Sequence, residues 1–210
     1  MGCSDGSIRF WNYSTGQVEN ERKIQAHSKS ILKMIVVIRI DPLNFLPSLI
    51  TYGQDNSLCS WNLEKGVAEF KVTKPFDSTS TTIIDMIYDN ESGTILTLGS
   101  DKTIQIRRAA TGSAFKVVKL SEKTPMKSFD MISTINYLPQ WFFLTAQNSK
   151  IYSILSTLED EQLYQFDLYK IVPESNWVKL KPKTQQILTH PLKLNTFFVS
   201  TTNGILIFKM

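Results

Sequence analysis

Four residues carry side chains that could act together in chemistry: His27, Thr51, Asp55 and Trp61. A histidine near a carboxylate could serve as a general base or as a metal ligand. The stretch around them has the pattern of a hairpin, because apolar residues alternate and Gly53 precedes an Asp-Asn turn. Thr51 lies four residues before Asp55, and Trp61 lies six residues after it. We therefore predict that the four side chains form a structural hydrogen-bond network.

Three aspartates, Asp5, Asp55 and Asp101, suggest a second chemistry, since paired carboxylates hydrolyse glycosidic bonds. They stand at the turns of successive hairpins, so we expect them to lie too far apart to share a substrate. The sequence contains no Walker loop, nucleophile elbow, zinc-protease helix motif or calcium-binding loop. We therefore expect no catalytic residue, no cofactor and no metal, and predict that the protein is not an enzyme.

The hairpin pattern recurs along the whole chain. Comparable turns begin at positions 5, 55, 101, 148 and 203, which are 50, 46, 47 and 55 residues apart. This spacing is typical of propeller repeats, each of which forms one small sheet. No segment has the period of an amphipathic helix. The sequence thus predicts an all-β fold, a partial β-propeller of about four to five blades, with turns headed by Asp5, Asp55, Asp101, Asn148 and Asn203.

We predict a single propeller region over residues 1–210. Its blades are expected at residues 1–24 (partial), 25–73, 78–120, 126–167 and 184–210 (partial), with an inserted loop at 168–183. Within the second repeat, Asp41-Pro42 and Pro47 predict a loop between strands. The first repeat lacks inner strands and the last lacks an outer strand. This favours a fragment of a propeller of about seven blades over a closed ring of about five.

The hairpins resemble the WD40 repeat family. Ala26-His27, Thr51, Asp55 and Trp61-Asn62 occupy the positions of that family's Gly-His pair, Ser/Thr, turn Asp and terminal Trp-Asp pair. The resemblance implies that the His, Ser/Thr, Asp and Trp side chains form a hydrogen-bonded chain within a blade. Weaker copies of the pattern add Asp5 and Trp11 from the first repeat, and Thr97 and Asp101 from the third, where Arg107 replaces the tryptophan.

A narrower resemblance is to the propeller of a WD40 subunit of the TSET or TPLATE vesicle coat, which is related to the COPI coat. It rests on the order of GCSDGSIRFWN, LITYGQDNSLCSWNL and LTLGSDKTIQI, and on a closing segment in which His190-Pro191 precedes two strands. The resemblance implies a non-catalytic interaction scaffold in a coat complex that acts in vesicle-mediated transport or endocytosis. Its partners would be other protein subunits, with peripheral membrane contact at the plasma membrane or at vesicles, in the cytoplasm. The alternative is a general WD40 adaptor, such as a ubiquitin-ligase substrate receptor or a subunit of an RNA-processing or chromatin complex.

Composition restricts the partners further. The 210 residues are 42% hydrophobic and 20% charged, as in soluble globular proteins. The net charge of +4 is spread over mixed acids and bases, so no nucleic-acid partner is expected. Cys3 and Cys59 lie on predicted strands and are expected to be buried thiols in a reducing compartment. No apolar run is long enough to span a bilayer.

Basic and aromatic residues supply the predicted contact sites. Arg107-Arg108 is one exposed candidate. The inserted loop offers a second group, which could touch a phospholipid head group or an acidic partner segment: Trp177, Lys179, Lys181 and Lys183. A solvated loop without a function explains the same residues, and His190 before Pro191 is read as the start of a loop.

Overall fold

The computed structural model describes residues 1–41, 44–78, 80–89, 93–119, 129–133, 141–147, 150–156, 161–167, 184–189, 196–202 and 204–209. These residues form antiparallel sheets of two to four strands and contain no helix. The predicted all-β class is therefore confirmed, and the sheets are compatible with a propeller-like fold. In this part of the chain there is consequently no helix long and apolar enough to cross a membrane.

The chain divides into two compact units. The first comprises Met1–Gly99 with Ile104–Val118, and the second comprises Ser100–Thr103 with Lys119–Met210. Among the described residues, three sheets belong to the first unit and two to the second.

The first sheet pairs β1 (Ser7–Asn12) with β2 (Gln17–Gln25). The turn between them is closed by Gly16, which has a φ of 67°, a left-handed conformation that glycine adopts without a steric penalty. Ahead of β1, Gly2 forms an antiparallel bridge to Ile8. Residues 1–4 therefore run alongside β1 on the side away from β2.

The second sheet is a meander of β3 (Ile31–Asp41), β4 (Asn44–Gly53), β5 (Ser57–Asn62) and β6 (Val67–Thr73) in that order. The loop predicted as far as Pro47 is wrong in extent, because Pro47 lies within β4 opposite Ile38. The last strand pair between β4 and β5 is Ser48 with Asn62. On the β5 side Pro47 makes a single backbone bond at the end of the ladder, where its carbonyl accepts the Leu63 N–H at 3.3 Å, and at such a place a missing N–H is tolerated.

The third sheet repeats the second, with β7 (Ile83–Asp89), β8 (Thr94–Gly99), β9 (Thr103–Arg108) and β10 (Ala114–Lys119) in the same order. The first strand begins in the same register in both sheets. Ile31 lies opposite Gly53, Ile83 lies opposite Gly99, and a register shift follows each pair. The internal repeat read from the sequence is therefore present in backbone pairing.

The second unit holds a four-stranded and a three-stranded sheet. The first contains β11 (Phe129–Ser133), β12 (Trp141–Gln147), β13 (Lys150–Ser156) and β14 (Glu161–Asp167). The other contains β15 (Thr184–Thr189), β16 (Thr196–Thr201) and β17 (Gly204–Lys209). The predicted inserted loop at 168–183 and the turn residues Asn148 and Asn203 lie outside the described residues.

The core of the first unit lies between its sheets. Ile8 and Ile24 of the first sheet pack with Leu49, Cys59 and Trp61 of the second. The opposite face of the second sheet packs against the third, in a cluster that includes Val37, Ile50, Tyr52, Leu58, Ile83, Met86 and Ile95. The second sheet is therefore covered on both faces, and every residue of β5 is buried.

Candidate functional site

The turn between β4 and β5 positions the aspartate of the predicted network. Asn56 adopts a left-handed φ of 56°, which asparagine tolerates better than most residues. Gly53 is required for a different reason, because a Cβ there would lie 2.5 Å from His27 Nδ1. The turn therefore places Asp55 beside the imidazole only because residue 53 has no side chain.

His27 joins three side chains of the hairpin. Its Nδ1 lies 2.9 Å from Asp55 Oδ1 and 2.9 Å from Ser57 Oγ, and its Nε2 lies 2.8 Å from Thr51 Oγ1. The imidazole is buried, and its three partners all belong to the second sheet and its β4–β5 turn. The structure thus brings together His27, Thr51 and Asp55, which are up to 28 residues apart in sequence.

The two ends of the network fix the direction of its hydrogen bonds. Trp61 Nε1–H can only donate, and it does so to Thr51 Oγ1 at 3.0 Å. The Asp55 carboxylate can only accept, so His27 Nδ1–H donates to it, and in the neutral imidazole Nε2 then accepts the Thr51 hydroxyl hydrogen. The chain of donors therefore runs from Trp61 through Thr51 and His27 to the carboxylate.

Hydrogen bonds keep Asp55 ionised. Burial of this carboxyl opposes ionisation, but it accepts hydrogen bonds from the Ser28 N–H, the Ser57 hydroxyl and His27. Together these lower the pKa of Asp55 to about 2. A carboxylate is thus present at neutral pH as the final acceptor of the chain.

An aspartate, a histidine and a hydroxyl in this order also form the catalytic triad of hydrolases. Whether this arrangement could be catalytic depends on whether a substrate can reach the Thr51 hydroxyl. Thr51 is 0% exposed, and its oxygen already accepts the indole N–H. The hydroxyl is therefore engaged inside the sheet, with no open side for a substrate carbonyl. Trp61's neighbour Asn62 is also structural, since its Oδ1 accepts the N–H groups of Glu64 and Lys65 in the following turn.

The same turn geometry occurs in all three sheets of the first unit. In each, the aspartate Oδ1 accepts both the N–H and the hydroxyl of the residue two positions later. The N···O and O···O distances are 3.0 and 2.6 Å for Asp5 with Ser7, 3.2 and 2.8 Å for Asp55 with Ser57, and 3.1 and 2.6 Å for Asp101 with Thr103. The network prediction omitted these hydroxyl residues. The recurring spacing Asp-x-Ser/Thr was the signal in the sequence.

The first sheet carries the turn but not the network. Asp5 is about half exposed and pairs with Arg9 and Lys23, each at 3.5 Å. Trp11 is 52% exposed, so the prediction that it belongs to a buried network is wrong. The physical reason for the missing network is that the residue four positions before Asp5 is Met1, which has no hydroxyl, whereas Thr51 stands four positions before Asp55.

In the third sheet an arginine takes the place of the tryptophan. Arg107 is 2% exposed, so the prediction that it is a surface contact is wrong, whereas Arg108 is exposed. Its Nε–H donates to Thr97 Oγ1 at 3.4 Å, its Nη1 donates to Gly112 O at 2.8 Å, and its Nη2 donates to Pro75 O and Gln105 Oε1. Burial lowers the pKa of Arg107 to about 10. The guanidinium remains charged at neutral pH.

The remaining predicted residues divide into two groups. Cys59 is buried, and burial raises the pKa of its thiol, but Cys3 is partly exposed, so the prediction of a buried Cys3 is wrong. The predicted contact residues Trp177, Lys179, Lys181 and Lys183, together with His190, lie outside the described residues. Within the described ranges, no group of three His, Cys, Asp or Glu side chains could hold a metal ion.

The chain matches no protein-family profile, and no curated protein is significantly similar to it.

Proposed function

We propose that the protein is a non-catalytic interaction scaffold built as part of a WD40-type β-propeller. The observation that supports this is the buried chain from Trp61 to Asp55. Its polar groups, which include the histidine, carboxylate and hydroxyl needed for catalysis, are engaged with one another inside the first unit. Such a network gives rigidity to a sheet, and a rigid sheet is a suitable support for loops that bind partners.

We further propose that the scaffold belongs to a vesicle coat and acts in membrane traffic, with other coat subunits as its partners. This finer proposal rests on the order of the hairpin motifs and on the closing segment after His190-Pro191. The adaptor functions in ubiquitin ligases, RNA processing or chromatin remain the alternative.

Quantitative co-purification tests the coat proposal. The affinity-tagged chain is expected to enrich coat subunits and membrane-associated proteins over a tagged control. The matched control is Thr51→Ala, which breaks the buried chain without changing the surface and should reduce the enrichment in proportion to its loss of folded protein. Enrichment of ligase or ribonucleoprotein subunits instead would overturn the coat assignment and support the adaptor function.

The non-catalytic part of the proposal has its own test. The purified chain is screened for hydrolysis of ester, amide and phosphate substrates with the wild type and His27→Ala. An activity that His27→Ala abolishes, while the variant stays folded by circular dichroism, would contradict the scaffold function. We expect no difference between the two proteins.

A further inference from the structure

The outermost strand of the third sheet, β10, exposes its apolar residues. Phe115 and Val117 are 54% and 50% exposed, while Lys116 between them is partly buried. A strand at the edge of a sheet normally turns charged residues to solvent and apolar residues inward. β10 therefore departs from the usual pattern at three consecutive positions.

The outermost strand of the second sheet, β6, follows the usual pattern and serves as the comparison. Its Phe70 and Val72 are partly buried and pack against the core cluster that the second and third sheets share. Its Glu69 and Lys71 are exposed, and exposed charges discourage an edge strand from pairing with another chain. Natural sequences break such local rules mainly at functional sites. The exposed apolar residues of β10 thus mark it as a contact surface.

The backbone of β10 offers a free edge. The strand order of the third sheet places β10 last, and among the described strands only β9 pairs with it. An edge strand carries a row of N–H and C=O groups that point away from its neighbour. A further extended strand that bonds to these groups would run alongside Phe115 and Val117.

The surroundings of this edge are basic. Arg108 is exposed, and its guanidinium carbon lies 5.9 Å from the centre of the Phe115 ring. From Lys102 to Val118 the sequence contains four basic residues and no acidic one. Within the described part of the chain, Arg108 takes part in no ion pair. A segment that binds here meets apolar side chains next to a positive charge, which favours a ligand with both apolar and carboxylate side chains.

We propose that β10 is a docking edge for an extended acidic segment of a partner polypeptide, in which acidic and apolar residues alternate. The segment adds as a further strand to β10, so that its apolar side chains cover Phe115 and Val117 and a carboxylate reaches Arg108. The proposal rests on the scaffold function to the extent that it names one surface by which the scaffold holds a partner.

An alternating peptide is the direct probe. The labelled peptide Glu-Val-Glu-Val-Glu-Val-Glu reads the same in both directions, so its side-chain order suits a parallel or an antiparallel strand. Fluorescence anisotropy with the full chain is expected to show saturable binding. Phe115→Asp should weaken the binding at least about tenfold, since it removes the apolar contact and repels the carboxylates. The matched control Val67→Asp, at a position of β6 that is 53% exposed, should leave the binding unchanged.

Two further peptides test the chemistry of recognition. A peptide with lysine in place of each glutamate should not bind to the wild type, and Arg108→Glu should reverse the preference between the two peptides. The glutamate peptide with N-methyl groups on its backbone amides should not bind, because it cannot donate hydrogen bonds to the edge of β10.

The design separates binding from folding and from other occupants. Unfolding midpoints of the three variants should equal that of the wild type, because all three positions are exposed. Absence of saturable binding, equal affinity for Phe115→Asp, or equal binding of the N-methylated peptide overturns the proposal. So does self-association in sedimentation experiments that Phe115→Asp abolishes, since a second copy is then the occupant.

The failure of this surface can be told apart from the failure of the proposed function. Coat co-purification by a chain that does not bind the glutamate peptide would leave the proposed function intact while the docking edge fails. Peptide binding that Phe115→Asp weakens, by a chain that enriches no coat subunit, would support the docking edge and overturn the coat assignment.

Discussion

Arg107 donates its Nε–H to Thr97 Oγ1 across 3.4 Å, from the third strand of its sheet to the second. In the preceding sheet Trp61 makes the equivalent bond to Thr51, at 3.0 Å. A guanidinium has more N–H groups than an indole, and here the others are satisfied by Gln105 and by the carbonyls of Pro75 and Gly112. An arginine in the position of the tryptophan thus keeps one hydrogen bond to the threonine, and it places a buried cation where the second sheet has an indole.

Removing that guanidinium is expected to destabilise the first unit. Arg107→Met keeps much of the volume but leaves the carbonyl oxygens of Pro75 and Gly112 without their donors, which should cost about 1–3 kcal/mol. The free energy of unfolding from urea titration measures the loss. Arg108→Met is the matched control, since Arg108 is exposed and should change stability by less than about 0.5 kcal/mol. Equal effects at the two positions would show that the buried hydrogen bonds of Arg107 contribute nothing.

The two tryptophans provide a second matched pair. Trp61→Phe retains the ring in the core but removes the N–H that donates to Thr51, so a loss of about 1–2 kcal/mol is expected. Trp11→Phe should have an effect below about 0.5 kcal/mol, because that indole is half exposed. Thermal unfolding followed by far-ultraviolet circular dichroism gives both values. A larger loss for Trp11→Phe would mean that its indole is buried after all.

The network of the second sheet was predictable because its signal is local. The Asp-Asn turn with a glycine two residues before it fixes the hairpin, and strand periodicity places Thr51 and Trp61 on one face. The position of His27 could also be predicted, because it lies just before the strand β3, which belongs to the same sheet as β4 and β5. The hydroxyl of Ser57 was visible in the same way but was omitted, although its spacing from the aspartate recurs at Ser7 and Thr103.

Other features depend on tertiary neighbours and could not be predicted from one sequence. Trp11 has the pattern of Trp61, yet its exposure depends on which side chains of other elements pack against it. Arg107 has the composition of a surface residue, and only the carbonyls supplied by Pro75 and Gly112 make its burial tolerable. Proline is a residue type typical of loops, but Pro47 lies within β4 because β5 ends at Asn62, opposite Ser48.

Loss of the carboxylate at the end of the buried chain should weaken the fold. Asp55→Ala leaves the N–H groups of Ser28 and Ser57 and the imidazole N–H of His27 without their acceptor, which should cost about 1–3 kcal/mol. The matched control is Asp5→Ala, which removes the same turn acceptor at an exposed position and should have a clearly smaller effect. Urea unfolding of the three proteins measures the difference. A change near zero for Asp55→Ala would contradict a stabilising role for the network.

Acid should remove the same contribution in the wild type. The pKa of Asp55 is about 2 in the folded protein, against an ordinary value of 3.8, so the unfolded chain binds this proton more readily as pH falls. The contribution, about 2 kcal/mol, is fully present above about pH 4 and is lost as pH falls through the folded pKa. The measurement is the difference in unfolding free energy between wild type and Asp55→Asn from pH 5 down to pH 2. This difference isolates Asp55, because Asp5, whose pKa the hydrogen bonds of Ser7 lower, titrates in both proteins. The difference is expected to shrink toward acid pH, and a difference independent of pH would show that the carboxylate charge is not what the buried chain stabilises.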